Sequence, residues 1–236
     1  MNSVISLDNV AALASGFPAL AGVDLSVSEH EIVLLKGPNG AGKTSILRVC
    51  AGLLPVVSGE AMVLGCDLRK DRRSVRRYVG LVGHTAFLYD DLTAEENVRF
   101  AVRASRAGED RIRQSLARLG VNGRLLFTRV DRLSAGQRRR VVLATLLARS
   151  PRLWLLDEPH AGLDTSGRDL LDEIITEARD DGTTILIASH EGERSVRLVD
   201  RVVTVAGGQV TTSGVPKLTL PSALGPEDEP ETAHVA

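Results

Sequence analysis

A glycine-rich segment, GPNGAGKT at residues 37–44, has the composition and spacing of a phosphate-binding loop. Glycine lets backbone N–H groups approach phosphate oxygens closely, and the helix predicted after the loop adds the positive end of its dipole. Lys43 offers a positive charge to the β- and γ-phosphates, and the Thr44 hydroxyl offers an oxygen to Mg²⁺. The sequence therefore predicts a nucleoside triphosphate site with Mg²⁺, whose nucleotide contacts are Gly37, Pro38, Asn39, Gly40, Ala41, Gly42, Lys43, Thr44 and Ser45.

A second segment, LWLLDE at residues 153–158, is an apolar run that ends in two carboxylates. Asp157 is placed to reach the metal shell beside Thr44, as an acid at the end of such a strand does in phosphate-loop proteins. Glu158 points to the other side of the strand, where it can orient a water molecule and accept its proton. Paired acids after a strand are common in ordinary loops, so this interpretation depends on the phosphate loop upstream. Asp157 is the predicted metal ligand and Glu158 the predicted general base.

The pattern of apolar residues predicts an α/β fold that would bring these segments together. Short continuous apolar runs alternate with helix-like segments, which is typical of a parallel sheet covered on both faces; the runs are 32–35, 79–82, 153–156, 185–188 and 202–205. Alternating apolar residues within 5–27 predict antiparallel strands, joined by 60–64. Residues from about 93 to 150 read as an inserted helical subdomain that begins with a capping box, Thr93 to Glu96. We expect a P-loop ATPase core with a parallel sheet, an N-terminal antiparallel β subdomain and this insertion.

Composition limits the remaining possibilities. The 236 residues include 29 basic and 30 acidic ones, for a net charge of −1, so we expect no nucleic-acid partner. The longest nearly apolar stretch, 141–148, is far shorter than the roughly 20 residues that cross a bilayer. The N-terminus lacks a basic segment followed by an apolar one, so we expect no signal peptide. A Pro-rich, acidic stretch leads us to divide the chain into a domain at 1–212 and a disordered tail at 213–236.

A third segment, LSAGQ at residues 133–137, lies between the phosphate loop and the acidic strand end. In this order the three segments resemble the ATP-binding-cassette (ABC) ATPases, and LSAGQ resembles their signature sequence. AGLD at 161–164 resembles the family's D-loop, and His190, after the run 185–188, resembles its switch histidine. The resemblance covers about residues 4–210. It implies an α/β cassette that hydrolyses ATP with Mg²⁺ as a cofactor.

The resemblance also implies how the segments cooperate. Two cassettes dimerise head to tail, with each ATP between the phosphate loop of one and the signature of the other. Ser134, Gly136 and Gln137 would then contact the nucleotide that the partner holds. Glu158 would activate the attacking water, and His190 would hold the γ-phosphate and that water in place.

The sequence departs from the family pattern at several positions. His84 stands where the family usually has a glutamine near Mg²⁺, so we expect it to contact nucleotide and metal; packing or solvent exposure is the alternative. The family's adenine-stacking aromatic is replaced by alanines near residues 11–14, and Phe17 is the nearest aromatic, which implies weaker or less base-selective ATP binding. His160 either tunes the site or is an ordinary surface histidine. Residues 138–140, all arginine, are expected on a helix surface without a role of their own.

A single cassette without a membrane-spanning segment is expected to power a separate permease. The implied partners are an integral membrane permease subunit and a second, identical cassette, at the cytoplasmic face of the cell membrane as a peripheral protein. The insertion from Thr93 onward and the loop at 84–92 would contact the permease. The short chain, His84 and the run EPHAGLD at 158–164 resemble the ATP-binding subunit of the haem exporter of cytochrome c maturation. The alternatives are a drug or lipid exporter and, less favoured, a soluble cassette ATPase without a transport role.

Overall fold

A computed structural model describes residues 3–83, 87–190 and 192–214. The strands in these ranges are β1 (Ser3–Ala14), β2 (Phe17–Ser28), β3 (Ile32–Lys36), β4 (Val56–Val63), β5 (Cys66–Asp67), β6 (Val79–Val82), β7 (Leu153–Asp157), β8 (Thr184–Ser189), β9 (Arg201–Ala206) and β10 (Gln209–Gly214). The α-helices are α1 (Lys43–Cys50), α2 (Leu68–Asp71), α3 (Ala94–Ala104), α4 (Ile112–Arg118), α5 (Ala135–Arg149), α6 (Thr165–Asp180) and α7 (Gly192–Val196). Short 3-10 helices occur at Ser74–Arg77, Gly123–Phe127 and Val130–Arg132.

The larger sheet has the strand order β10-β9-β3-β8-β7-β6. In this order the strands from β9 to β6 pair in parallel, and β10 pairs with β9 in the antiparallel direction at the edge of the sheet. Each of the five predicted apolar runs lies in one of the parallel strands, so the predicted parallel sheet is confirmed. Both faces are buried because alternate side chains of β3 enter different cores: Val33 and Leu35 pack with α1 and the smaller sheet, while Ile32 and Leu34 pack with the helices α3 to α6.

The smaller sheet is antiparallel, with the order β2-β1-β4-β5. β1 pairs with β2 on one side and with β4 on the other, which confirms the N-terminal β subdomain and its predicted third segment. The last strand of the chain, β10, runs to Gly214 and so includes two residues of the predicted tail. The rest of that tail lies outside the described residues.

The predicted insertion contains α3, α4 and α5. The capping box at its start is present: the Thr93 hydroxyl accepts from the Glu96 N–H at 3.3 Å, and the Glu96 carboxylate accepts from the Thr93 N–H at 2.8 Å. Ile112 and Leu116 of α4 and Leu119 after it are buried against the other helices, as their spacing on one helix face predicts. The tail and the domain division remain predictions.

The topology brings the chemical segments to one edge of the larger sheet. Parallel strands end at the same edge, and the phosphate loop, Glu158 and His190 follow the carboxyl ends of β3, β7 and β8 respectively. The register places Lys36 beside Ser189, and Ala188 beside Asp157. Residues far apart in sequence therefore meet at the ends of three adjacent strands.

Candidate active site

The phosphate loop folds closely against the turn between β9 and β10. A Cβ at Gly37 would collide with the carbonyl oxygen of Val205 in β9, so this approach requires glycine. Gly42 immediately precedes α1 with a φ of 110°, in a region that residues with side chains rarely adopt, and it has no side chain to cap the helix. The first N–H groups of α1 therefore stay available to an anion. This is the role that the sequence predicts for the loop.

Lys43 is buried and held over the loop by the loop's own carbonyls. Its Nζ donates to the Gly37 oxygen at 2.7 Å and to the Pro38 oxygen at 3.0 Å. These bonds restrain the ammonium group, which carries three donors on a flexible stem. Gly37 and Pro38 thus position the charge that the sequence assigns to the β- and γ-phosphates.

Two of the three predicted protein ligands of Mg²⁺, Thr44 and Asp157, are in contact. The Thr44 hydroxyl donates to Asp157 Oδ2 at 2.8 Å, and Asp157 is largely buried at the end of β7. A hydroxyl and a carboxylate oxygen suit Mg²⁺, which commonly takes one or two protein oxygens together with substrate phosphates and water. No group of three or more His, Cys, Asp or Glu side chains that could hold a metal ion occurs in the described ranges. The donor set therefore fits a metal that is completed by phosphate.

Glu158 is held by hydrogen bonds to both its main chain and its carboxylate. Its φ is 45°, a left-handed conformation that costs a non-glycine residue about 1–2 kcal/mol. Its N–H donates to the Ala188 oxygen at 2.8 Å. One carboxylate oxygen accepts from the His190 N–H at 3.0 Å and lies 2.7 Å from His190 Nδ1, and the other accepts from Ser189 Oγ at 3.0 Å. The predicted base and the predicted switch histidine are thus hydrogen-bonded to each other.

Lys43, Thr44, Asp157 and Glu158 line a cleft of about 590 Å³, whereas Gly37, Pro38 and His190 do not belong to its lining. Its lining includes most of the predicted nucleotide contacts, namely Asn39, Gly40, Ala41, Gly42, Lys43, Thr44 and Ser45, together with Asp157 and Glu158. Residues 18–21 of β2 and the turn at Gly207 and Gly208 form the rest of its lining. The cleft is large enough for a small-molecule ligand.

The β2 side of the cleft offers little that could recognise a base. Its residues are Pro18, Ala19, Leu20 and Ala21, without an aromatic ring or a polar side-chain group. Phe17, the aromatic nearest in sequence, is 75% exposed and is absent from the lining. The triphosphate contacts therefore dominate the expected binding.

We expect this cleft to accept GTP nearly as well as ATP. A site that bonds the edge of a base discriminates against an analogue without that group by about four orders of magnitude in kcat/KM. The β2 side of this cleft offers no such polar side chain, so we expect the KM values for ATP and GTP to agree within about threefold. Steady-state phosphate release with each Mg²⁺-nucleotide measures the ratio. Inorganic tripolyphosphate should compete with both nucleotides alike, and a strong preference for one base would contradict the prediction.

The signature residues lie away from this cleft. Ser134 is exposed and caps the N-terminus of α5. Its Oγ accepts from the Gln137 N–H at 3.2 Å, while the Gln137 side chain accepts from the Ser134 N–H at 2.9 Å. Sequence analysis did not predict this second capping box. Gly136 lies near the D-loop, because a Cβ on it would be 3.6 Å from the Gly162 oxygen. Ser134, Gly136 and Gln137 are absent from the lining of the cleft.

His84, predicted near nucleotide and Mg²⁺, lies outside the described residues. Two other expectations can be compared with the structure. His160 is only 3% exposed, so the surface alternative is wrong. Its Nε2 lies 2.6 Å from Asp172 Oδ1, and the other Asp172 oxygen accepts from Arg194 at 2.7 Å. Asp172 and Arg194 were not predicted, because no motif marks them.

The run of arginines after the signature also differs from its expected surface position. Arg139 is 7% exposed and donates to the main-chain oxygens of Gly83 and Glu158, the residues that follow β6 and β7. Its neighbours Arg138 and Arg140 are half-buried. Arg140 lies 3.4 Å from Asp164, which caps α6 through the Gly167 N–H. This N–H bond is the main reason why the pKa of Asp164 is lowered.

The fold and the site define a phosphate-loop ATPase of the cassette kind, and the comparisons with known proteins agree. The family model for ABC transporters matches residues 20–161, more than half of the chain. The chain therefore belongs to the ABC transporter family, and it is an ATP-binding subunit that hydrolyses ATP. Its fold matches the dimeric, post-hydrolysis structure of the ATP-binding cassette MJ0796 bound to ADP and Pi, with a TM-score of 0.82 and 25% identity over 90% of this chain and 99% of that one.

Curated relatives differ in the transport that their names describe. The cytochrome c biogenesis ATP-binding export protein CcmA of Cupriavidus pinatubonensis is 38% identical over 79% of this chain and 83% of its own length. The Fe(3+) ions import ATP-binding protein FbpC of Streptomyces avermitilis is also 38% identical, over 90% of this chain, but the match spans only 63% of its own length. None of the helices within the described ranges has the length and hydropathy of a membrane span.

Proposed function

We propose that this chain works as a homodimer that hydrolyses ATP between its two copies and thereby powers a separate membrane permease. The observation that carries the proposal is the separation of Ser134 and Gly136 from the cleft lined by Lys43 and Glu158. One chain therefore carries two half-sites. A head-to-tail pair with two-fold symmetry would complete both of them at once.

The hydrogen bonds of the site support a direct hydrolysis step. A water oxygen attacks the γ-phosphorus, the bond to the β,γ-bridging oxygen breaks, and the Glu158 carboxylate accepts the water proton. His190 Nδ1 must carry a hydrogen in order to donate to that carboxylate, so the histidine fixes the direction of the base. Lys43 and the N–H groups of α1 bind the phosphates and stabilise their charge.

Thr44 and Asp157 are the residues proposed to hold Mg²⁺. When bound, the ion would neutralise charge on the β- and γ-phosphates. Asp157 serves as an acceptor for the Thr44 hydroxyl in the structure, so the two oxygens are already adjacent. His84 is proposed to join them, as the sequence predicts.

A groove beside the helical insertion supports a permease contact. It encloses about 520 Å³, and its lining includes three aromatic residues and several arginines, among them Phe87, Tyr89, Phe100, Arg73, Arg76 and Arg77. The three aromatic side chains are exposed, and the Tyr89 and Phe100 rings pack edge to face at 4.9 Å. Asn97 of α3 fixes the loop that precedes this helix. Its side chain accepts from the Tyr89 N–H and donates to the Tyr89 oxygen. Exposed aromatics beside arginines suit an amphipathic partner segment that carries acidic residues.

Of the two curated relatives described above, CcmA is matched over the larger share of its own length, and this favours a particular kind of permease. Its name describes an ATP-binding export protein of cytochrome c biogenesis, and the resemblance of residues 158–164 to the haem-exporter subunit supports the same function. We therefore propose haem export for cytochrome c maturation, at the cytoplasmic face of the membrane. Import is the second candidate, because several curated relatives named for import match over 90% or more of this chain. A drug or lipid exporter is the remaining alternative.

The test is a pull-down of tagged Glu158→Gln protein from its own detergent-solubilised membranes with ATP and Mg²⁺. A polytopic membrane protein with a haem absorption band in the eluate would support the haem exporter. A polytopic partner without haem would support another exporter or an importer. Ribosomal or DNA-bound proteins without a membrane partner would overturn the transport role and leave the ATPase chemistry standing.

The groove supplies a sharper prediction. Phe100→Asp should weaken capture of the permease by about 30-fold or more, since buried aromatic anchors in an interface contribute about 2 kcal/mol or more. Phe127→Asp is the matched control, because Phe127 is also exposed, at 66% against 50%, but is absent from the groove. ATPase activity of both detergent-free proteins should stay at the parental value. Equal loss of the partner in both variants would contradict the assigned surface.

A further inference from the structure

Arg139 connects the signature helix to the ends of two strands of the larger sheet. It lies one turn into α5, close to the capping residue Ser134. Its Nη1 donates to the Gly83 oxygen, after β6, at 2.7 Å. Its Nη2 donates to the Glu158 oxygen, after β7, at 3.0 Å. A single side chain thus bonds the main chain just beyond the carboxyl ends of two adjacent strands, one of which, β7, leads into Glu158.

Packing alone does not explain an arginine at this position. The side chain is 7% exposed, and burial lowers the pKa of its guanidinium, with the charge of Asp157 opposing that change. Within the described part of the chain its Nε has no hydrogen-bond partner. A buried charge is costly, and an apolar side chain would fill the same space without that cost. What the guanidinium adds is two donors in a fixed fork, aimed at two carbonyl groups.

The carbonyl bonded by Nη2 belongs to Glu158, whose main chain is held by several hydrogen bonds. Glu158 has its left-handed φ, and its oxygen also accepts from the Ala161 N–H at 3.1 Å. Its N–H is bonded to β8. The main chain of Glu158 is therefore fixed by α5, by β8 and by the start of the D-loop. A displacement of α5 would move this carbonyl, and with it the main chain that carries the Glu158 carboxylate.

We infer that Arg139 is a positioning residue that transmits the position of the signature helix to the Glu158 main chain of the same chain. The inference rests on the proposed roles of Glu158 and of the dimer, and it goes beyond them. Ser134 and Arg139 belong to one short stretch of helix, so contact of Ser134 with the partner's nucleotide fixes the place of Arg139. One site's occupancy thereby sets the geometry of the base in the other site.

The experiment compares Arg139→Lys with Arg149→Lys. Arg149 is a matched control because it is also on α5, burial also lowers its pKa, and its donors also go to main-chain oxygens, at Arg76 and Val79. Those oxygens lie at the opposite end of β6. Lysine keeps the charge but not the fork. We expect Arg139→Lys to lower kcat about 10- to 100-fold with little change in KM, since a misplacement of about 1 Å costs up to about 100-fold. Arg149→Lys should keep the parental kcat.

A double-mutant cycle with Ser134→Ala tests the coupling itself. If Arg139 acts by transmitting the signature contact, the two changes together should cost clearly less in kcat than the product of their separate effects. If the effects of the two substitutions on kcat simply multiply, Arg139 acts independently of the signature and the inference is wrong. If Arg139→Lys is too unstable to assay, Arg139→Gln, which retains a side-chain N–H donor, replaces it in the cycle. The melting temperature of each variant is measured alongside, and a kcat loss shared by Arg149→Lys would reveal a merely structural role.

The outcome also separates this inference from the proposed chemistry. Parental turnover in Glu158→Gln would remove the base and, with it, the reason for positioning. An inactive Glu158→Gln with a fully active Arg139→Lys would leave the base in place and overturn only the role of Arg139.

Discussion

Replacement of Glu158 by glutamine is expected to lower ATP turnover by about two to four orders of magnitude, the usual contribution of a general base. An amide cannot accept the proton of the attacking water. It has nearly the same shape as the carboxylate, so it can still accept from the His190 N–H and can donate to Ser189 Oγ. ATP binding should survive while hydrolysis becomes slow, and ATP-bound dimers should accumulate. Phosphate release measures turnover, and size-exclusion chromatography with ATP and Mg²⁺ measures the dimer.

Glu31→Gln is the appropriate control for this substitution. Glu31 is also a largely buried glutamate that accepts several hydrogen bonds, from Ser28 and Arg201. It directly precedes β3, at the end of the strand opposite the phosphate loop. We expect its replacement to affect stability but neither turnover nor dimerisation. A Glu158→Gln protein that hydrolyses ATP at the parental rate would show that another group accepts the proton.

The sequence predicted the parts of the site that depend on local pattern. The phosphate loop is a contiguous motif, and the strand before it is a continuous apolar run. Both can therefore be recognised in the sequence without knowledge of the fold. Parallel pairing then follows, because buried runs separated by helices have few alternatives. The contact between Thr44 and Asp157, more than a hundred residues apart in sequence, was predictable only because each residue belongs to a recognisable segment.

The parts that sequence analysis missed depend on contacts between distant segments without such patterns. Arg139 sits in a run of three arginines, where side chains of one type carry no sign of which is buried. His160 follows Glu158 closely, but its partner Asp172 lies on the outer helix α6 and is only half-buried. The surface interpretations were wrong in both cases because charge predicts exposure only when no partner is available.

Ser134 and Gln137 show that one pattern can serve two purposes. In this chain they form a capping box, which fixes the start of α5. A hydroxyl has one donor and two acceptor sites, and the cap uses Ser134 Oγ as an acceptor. The donor can therefore still bond a phosphate oxygen of the partner's nucleotide. The cap does not compete with the predicted role of the signature; it holds the hydroxyl in place for it.

Replacement of Lys43 by alanine is expected to weaken ATP binding by about 10- to 150-fold, since hydrogen bonds to charged groups contribute about 1.5–3 kcal/mol. Among the residues that the structure describes, the lining of the cleft contains no lysine besides Lys43. Its loss also removes the bonds that restrain the loop at Gly37 and Pro38, so the loop must be ordered when the nucleotide binds. Isothermal titration with ATP and Mg²⁺, using Glu158→Gln as the parent so that hydrolysis is suppressed, measures the affinity directly.

Lys36→Ala separates the specific contact from the loss of net charge. Lys36 ends β3 immediately before the phosphate loop and is exposed, so its replacement removes the same charge from the same region without touching the loop's carbonyls. If binding depends on general electrostatic attraction, both variants should lose affinity, and the loss should shrink at high salt. If Lys43 acts through direct contact in a buried position, only its replacement should weaken binding, and salt should change the loss little. An unchanged affinity in Lys43→Ala would remove the basis for assigning residues 37–44 to the phosphates.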